Sequence, residues 1–278
     1  MPALRLPMVR FHNMKRSRTK PYAGTQAVLR AIALLKVFTD ERASWSLAEL
    51  VKHSGLNKTT VFRLLTALQS EGLITHNGDT DTYSLGSEMV VLGGRALRAN
   101  DLRSASRSEL KALARATGES ASLEILVDRE VLIIDEVQGE HLLSSGQWIG
   151  TRWPASATST GKAILAYLPS AELEEILQEP LLRYTTDTIT SMESFRRELA
   201  KVRQRGYAVA NEELETGFVA IGAPVRNHHG EVIAAISIGG PAVRLGSQRI
   251  GQVGRTVRQS AERLSARLGY REKSKPPR

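Results

Sequence analysis

The chain has 278 residues, 41% of them hydrophobic and 24% charged, enough apolar content to bury a substantial core and, at this length, to form two domains. It has no cysteine, which excludes disulfides, thiol nucleophiles and cysteine-held metals; no apolar run reaches the roughly 18 residues of a membrane span, and the N-terminus lacks the apolar stretch of a signal peptide, so a cytoplasmic protein is expected. The net charge of +9 sits in the tails, because residues 1–25 carry six Lys/Arg and no acid, residues 271–278 carry four basic residues against one acid, and the middle is nearly balanced.

Residues 1–24, with Arg5, Arg10, Lys15, Arg16, Arg18 and Lys20, read as a basic disordered arm that can add salt-sensitive phosphate contacts. Residues 26–98 hold eight basic against seven acidic residues, so net charge does not argue for a nucleic-acid-binding unit there. The element pattern does. "TQAVLRAIALLKVFTDE" predicts a first helix with Val28, Ile32 and Leu35 inward. In "SLAELVKHSGL", Ser46 and Glu49 are spaced as a capping box ahead of Leu47, Leu50 and Val51, and Gly55 supplies a turn. Asn57 then caps "KTTVFRLLTALQS", whose Val61, Leu64, Leu65 and Leu68 share one stripe, while Thr59, Arg63, Thr66 and Ser70 point away and Thr60 and Phe62 flank. Helix, glycine turn and helix make a helix-turn-helix, whose second helix offers its N-terminal residues to base edges in the major groove. "LITHNGDTDTYSLG" follows as a hairpin around Asn77, Gly78 and Asp81, which completes a winged helix-turn-helix over residues 25–86. The expected DNA-facing set is Ser46, Asn57, Lys58, Thr59, Thr60, Phe62, Arg63 and Thr66.

Residues 87–100, "SEMVVLGGRALRAN", predict a linker helix that Gly93 and Gly94 weaken, giving a joint able to bend. From residue 101 to 270 the pattern is mixed. A helix ends at Gly118; "ASLEILVDREVLIIDEVQG" alternates Leu123, Ile125, Val127, Val131 and Ile133 as a hairpin would; "TSTGKAILAYL" leads into a helix; and a longer helix turns Phe195, Leu199 and Val202 inward. "YAVANEE", "FVAIGAPVR" and "EVIAAISIGG" are strands, the last two joined through Asn227, His228, His229 and Gly230, and a closing helix from about Ser247 to Leu268 buries Ile250, Val253, Val257, Ala261 and Leu264. The fold class is α+β, with helices flanking an antiparallel sheet in a sensor-like domain, followed by a basic tail at 271–278.

These stretches, taken together, resemble the IclR-type bacterial transcriptional regulators. The resemblance covers about residues 24–270 and rests on "SLAELVKHSGLNKTTVFRLLTALQSEGLI", "YSLG", "SATSTGKAILAYL", "TIT" at 188–190, "RQRGYAVANEELETGFVAIGAPV" and "GEVIAAISIGGP", in that order. It implies a winged helix, a linker helix and a GAF-like domain that binds a small metabolite, in dimers or dimers of dimers on operator DNA, acting as repressor, activator or both.

Catalysis has no visible constellation. G-x-S-x-G, H-E-x-x-H and G-x-G-x-x-G are all absent, and "STGKA" fails as a phosphate loop because Ser156 stands where its first glycine belongs. His228 and His229 read as a solvated turn, and neither a metal nor a cofactor is expected. Thr158, Ser159, Thr160 and Gly161 lie at a helix start and have two readings: hydroxyls and free N–H groups that hold a small anion, or an ordinary helix cap. The resemblance places the effector pocket on this loop and on Leu142, Ala210, Ala220, Ser237 and Gly239. Relatives that recognise small oxoacids carry an acid, a cysteine and a second serine at three of these places, and here alanine, alanine and glycine stand instead. A roomier, more apolar pocket for an aromatic or otherwise larger carboxylate is therefore expected. The leading function is an effector-responsive, sequence-specific DNA-binding regulator of a metabolic operon, a repressor before an activator. The alternative is a metabolite-sensing signalling protein whose winged helix mediates protein interaction; Asp79 and Asp81 in the wing keep it open, since DNA would repel them.

Overall fold

The computed structural model describes residues 24–140 and 149–271. The basic arm, Leu142 and most of the basic tail lie outside the described residues. The chain divides into two compact units, passing from one to the other between Ala99 and Asn100.

In the first unit, α1 (Gln26–Leu35), α2 (Leu47–Ser54) and α3 (Lys58–Ser70) surround a core of Leu34, Leu50, Val61, Leu65 and Leu68. The capping box at the start of α2 is complete: Glu49 N–H donates to Ser46 Oγ at 3.3 Å, and Ser46 N–H returns a bond to Glu49 Oε2 at 2.9 Å. That returned backbone bond, first among its causes, holds the Glu49 carboxyl down to about 2. Gly55 follows in the left-handed conformation, φ 67°, where a side chain would be strained, and so turns the chain toward α3. The wing is a three-stranded sheet rather than a bare hairpin: β1 (Ser44–Ser46), β2 (Ile74–Asn77) and β3 (Thr82–Leu85) pair antiparallel in the order β1-β3-β2. In α1 the expected inward stripe is wrong. Leu34 is the buried residue, Leu35 packs partly, and Val28 and Ile32 are 59% and 42% exposed. Only Gln26 and Arg30 interrupt its apolar run, so the helical wheel marks no unique face.

α4 (Ser87–Arg98) runs unbroken through Gly93 and Gly94. The interruption comes later, at Asn100, whose side chain accepts from Arg103 N–H at 3.0 Å and caps α5 (Asp101–Thr117). The linker expected over residues 87–100 is thus one continuous helix, separated from the next by the Asn100 cap.

The second unit is built on a six-stranded antiparallel sheet: β4 (Ser120–Val127), β5 (Glu130–Val137), β6 (Arg152–Pro154), β7 (Ala208–Asn211), β8 (Phe218–Arg226) and β9 (Val232–Pro241), in the order β6-β5-β4-β9-β8-β7. Both faces are covered. On one lie α5 and α9 (Ser247–Arg267), with Leu110, Leu113, Val257 and Leu264 packed against Leu123, Ile221 and Ile236. On the other lie α6 (Ser159–Leu165) and α8 (Met192–Arg205), with Ile164, Phe195, Leu199 and Val202 against Leu126, Val131 and Ala235. A short α7 (Ser170–Ile176), which the sequence pattern does not single out, precedes α8. Burial on both faces removes the expected alternation from central β4: residues 120–124 are all buried, and the register shifts between Leu123 and Glu124.

Candidate functional site

The N-terminal half of α3 carries the side chains proposed for base readout. Lys58, Thr59 and Arg63 are exposed, and among the described residues no side-chain hydrogen bond or ion pair holds Lys58 or Arg63. Phe62 is also exposed. Three other side chains of the expected set are already occupied. Asn57 Oδ1 accepts from Thr60 N–H at 2.8 Å, Thr66 Oγ1 donates to Phe62 O at 2.9 Å, and the Ser46 hydroxyl is spent in the capping box. Of the two wing acids, Asp81 lies 3.0 Å from His76 Nε2, and Asp79 is exposed.

In the second unit, a small cavity of about 30 Å³ opens between α6 and the sheet. Thr158, Ser159, Thr160, Ala210, Ala220 and Ser237, all expected from sequence, line it. Gly161 and Gly239 do not. A side chain at Gly161 would run into the Ala155 backbone, so this glycine answers to the close approach of α6 and the turn before it. Of the two readings of the loop, the cap describes the geometry: Gly161 N–H donates to Thr158 Oγ1 at 3.2 Å, and the helix it starts has seven residues. Thr158, rather than Ser159 or Thr160, is that cap.

Sequence reasoning missed Glu124, Trp153, Ala157, Leu214 and Phe218, which also line the cavity. Trp153, Leu214 and Phe218 are large, so the volume absent at Ala210 and Ala220 is not simply added to the space. Nor is the wall uniformly apolar, because Glu124 brings a carboxyl in from β4. It is 3% exposed, and its Oε1 accepts from Ser122 Oγ at 2.7 Å and its Oε2 from Thr160 Oγ1 at 2.5 Å. Ser237 Oγ lies 2.8 Å from Ser122 Oγ, and at 3.5 Å it donates weakly to Glu124 Oε1 as well. Burial pushes the Glu124 carboxyl up, and the three hydroxyls pull it partly back. The sequence signal was available: an acid in the middle of "SASLEILV", a strand otherwise free of charge.

Beside the cavity, Lys162 of α6 is fully buried, and its Nζ donates to Glu213 Oε1 and Val209 O, each at 2.5 Å. Desolvation pulls the lysine down and pushes the glutamate up. This pair ties α6 to the segment that follows β7 and carries Leu214.

Two family descriptions match the chain: the IclR helix-turn-helix domain over residues 27–78 and the bacterial transcriptional regulator IclR C-terminal domain over 94–266. The chain belongs to the IclR family of bacterial transcriptional regulators. It is 33% identical over 246 residues to the HTH-type transcriptional regulator XynR of Escherichia coli strain K12, covering 88% of this chain and 98% of that one. It is 31% identical to the transcriptional repressor IclR of the same organism, over 90% and 93% of the two chains. Among solved structures, an IclR homolog from Microbacterium hydrocarbonoxydans complexed with 4-hydroxybenzoate superposes with a TM-score of 0.76 at 25% identity, over 87% of this chain and 98% of that one. The protein is a DNA-binding transcriptional regulator and not an enzyme. The family match does not favour a winged helix devoted to protein interaction. Among the described residues no helix is long and apolar enough to cross a membrane.

Proposed function

We propose that the protein is an effector-responsive repressor of a metabolic operon, acting in the cytoplasm. The observation that carries this reading is the division of labour between the units: solvent-facing Lys58 and Arg63, without a side-chain partner among the described residues, lie on the second helix of a helix-turn-helix, and a cavity lined by hydroxyls, an acid and aromatic side chains lies in the other unit. Arg63 has the reach for a bidentate contact to a guanine edge, with Lys58, Thr59 and Thr60 on bases or nearby phosphates. Several relatives carry the word repressor in their names, which supports the direction of regulation. The effector is an aromatic or otherwise larger carboxylate; Trp153 and Phe218 in the cavity wall, and 4-hydroxybenzoate in the Microbacterium homolog, support that class.

Such a regulator works as a dimer or a dimer of dimers, since one short helix reads only a few base pairs and specificity requires two copies on a two-fold operator. Exposed apolar side chains on α1 (Val28, Leu29, Ile32) and α4 (Val90, Val91, Leu92) support association through the first unit. The test is binding to the DNA upstream of the protein's own gene, with and without a panel of aromatic acids. Specific binding that an acid weakens is expected. Absence of a preferred site, or a site whose affinity no metabolite alters, would overturn the reading.

A further inference from the structure

Glu124 is a buried acid in the wall of the cavity between α6 and the sheet, and none of the described residues lining that cavity is a Lys, Arg or His. Its bonds to Ser122, Thr160 and Ser237 all come from hydroxyl groups. A carboxylate has about four acceptor positions, so these leave room for a further donor. Its place on the wall is fixed from several sides. Ser122 and Ser237 face each other across the β4–β9 pair, Thr160 reaches over from α6, and the unbroken alternation of β4 along β9 puts Glu124 on the same face as Ser122 and Leu126, the α6 side of the sheet.

Two carboxylates brought together here, with no cation among the described lining residues and the neighbouring Lys162 committed to Glu213, would repel in a medium of low dielectric. A hydroxyl or N–H group instead completes the acceptor set with a charge-assisted bond, and the apolar body of the same ligand has Trp153, Leu214 and Phe218 to pack on. We infer that Glu124 is the specificity-determining residue of the effector cavity, receiving the hydroxyl or N–H end of a ring-bearing effector and turning any carboxylate on that effector away from the β4 wall. The inference rests on the effector-responsive reading above and sharpens its ligand class: the anchor is a hydrogen-bond donor, not the acid group.

The test uses three ring probes of matched shape, phenol, 4-hydroxybenzoate and benzoate, titrated calorimetrically against the full chain, Glu124→Gln and Glu124→Leu. In the parent, the two hydroxylated probes should bind at least about tenfold more tightly than benzoate, the difference expected for a hydrogen bond to a charged group. Glu124→Gln keeps a carbonyl acceptor and should lose most of that preference; Glu124→Leu should level the three probes. Melting curves and near-ultraviolet circular dichroism report whether each variant is folded, and the ranking in the parent decides the ligand class even if both variants are not. Benzoate binding as tightly as 4-hydroxybenzoate, a preference that survives both substitutions, or no binding by any probe at millimolar concentration would overturn the assignment. A parallel operator titration with unrelated metabolites separates the two readings. If one of those metabolites shifts operator affinity while the phenols do nothing, effector response stands and the role of Glu124 falls.

Discussion

Replacing Lys162 by Met removes a buried ammonium while keeping most of its volume, and leaves Glu213, only 8% exposed, facing an apolar side chain. Glu213 Oε2 already lacks a hydrogen-bond partner, so the variant strips the acid of its one strong side-chain contact. Removing one member of a buried pair costs about 3–5 kcal/mol; with little cavity created, the lower end applies, about 3 kcal/mol. For a unit of this size each kcal/mol shifts the midpoint by roughly 2–4 °C, so the second unit should melt roughly 6–12 °C lower. The defect should depend on pH with a definite sign. Without the lysine, the folded-state carboxyl of Glu213 stays above its ordinary value of 4.5, where burial already pushes it, so its contribution is fully present below the unfolded value and is lost as pH rises through the folded one. The gap between variant and parent should therefore narrow as pH falls from 8 toward 5. Lys162→Met/Glu213→Leu should recover part of the loss, because it removes the stranded acid. Scanning calorimetry of the full chain across pH is the assay. A single variant melting within about 2 °C of the parent, or a gap that widens in acid, would refute the argument that Glu213 is left stranded.

Arg63→Ala, at an exposed and unpaired position, should leave melting unchanged, cost about 1–3 kcal/mol on the specific operator and relax preference at one base pair; gel shifts with parent-like selectivity would remove Arg63 from readout. Sedimentation should show a dimer or tetramer at micromolar concentration, and Val90→Glu, on the exposed apolar side of α4, should shift it toward monomer; a monomeric parent binding a non-palindromic site would sink the two-fold model. A side chain at Gly93 meets nothing, and at Gly94 only the flexible end of Arg98, so Gly93→Ala/Gly94→Ala should fit and stiffen α4 by roughly 1–2 kcal/mol. Effector should then bind nearly as before while its effect on operator affinity changes; an unaltered ratio of affinities would assign the coupling to the break at Asn100 instead.

Local chemistry alone determined much of this protein. The capping box of Ser46 and Glu49, the left-handed turn at Gly55, the Asn57 cap and the leucine stripe of α3 need only neighbours within a few residues, so the helix-turn-helix and the exposure of Arg63 were legible in the chain. The closing helix was legible too, because its apolar face packs on one side of the sheet. Tertiary structure decided the rest. Which face of α1 is buried, the third strand of the wing and the loss of alternation in β4 depend on what packs against each element, and an apolar helix or a strand covered on both faces carries no period that records it. The inner wall of the cavity is the clearest case. Glu124 and Ser237 are 113 positions apart, Glu124 and Thr160 36, and beside the wall Lys162 and Glu213 are 51 apart. Strand pairing and the seating of α6 on the sheet bring them together, and without that contact Glu124 reads as one acid in a hydrophobic strand.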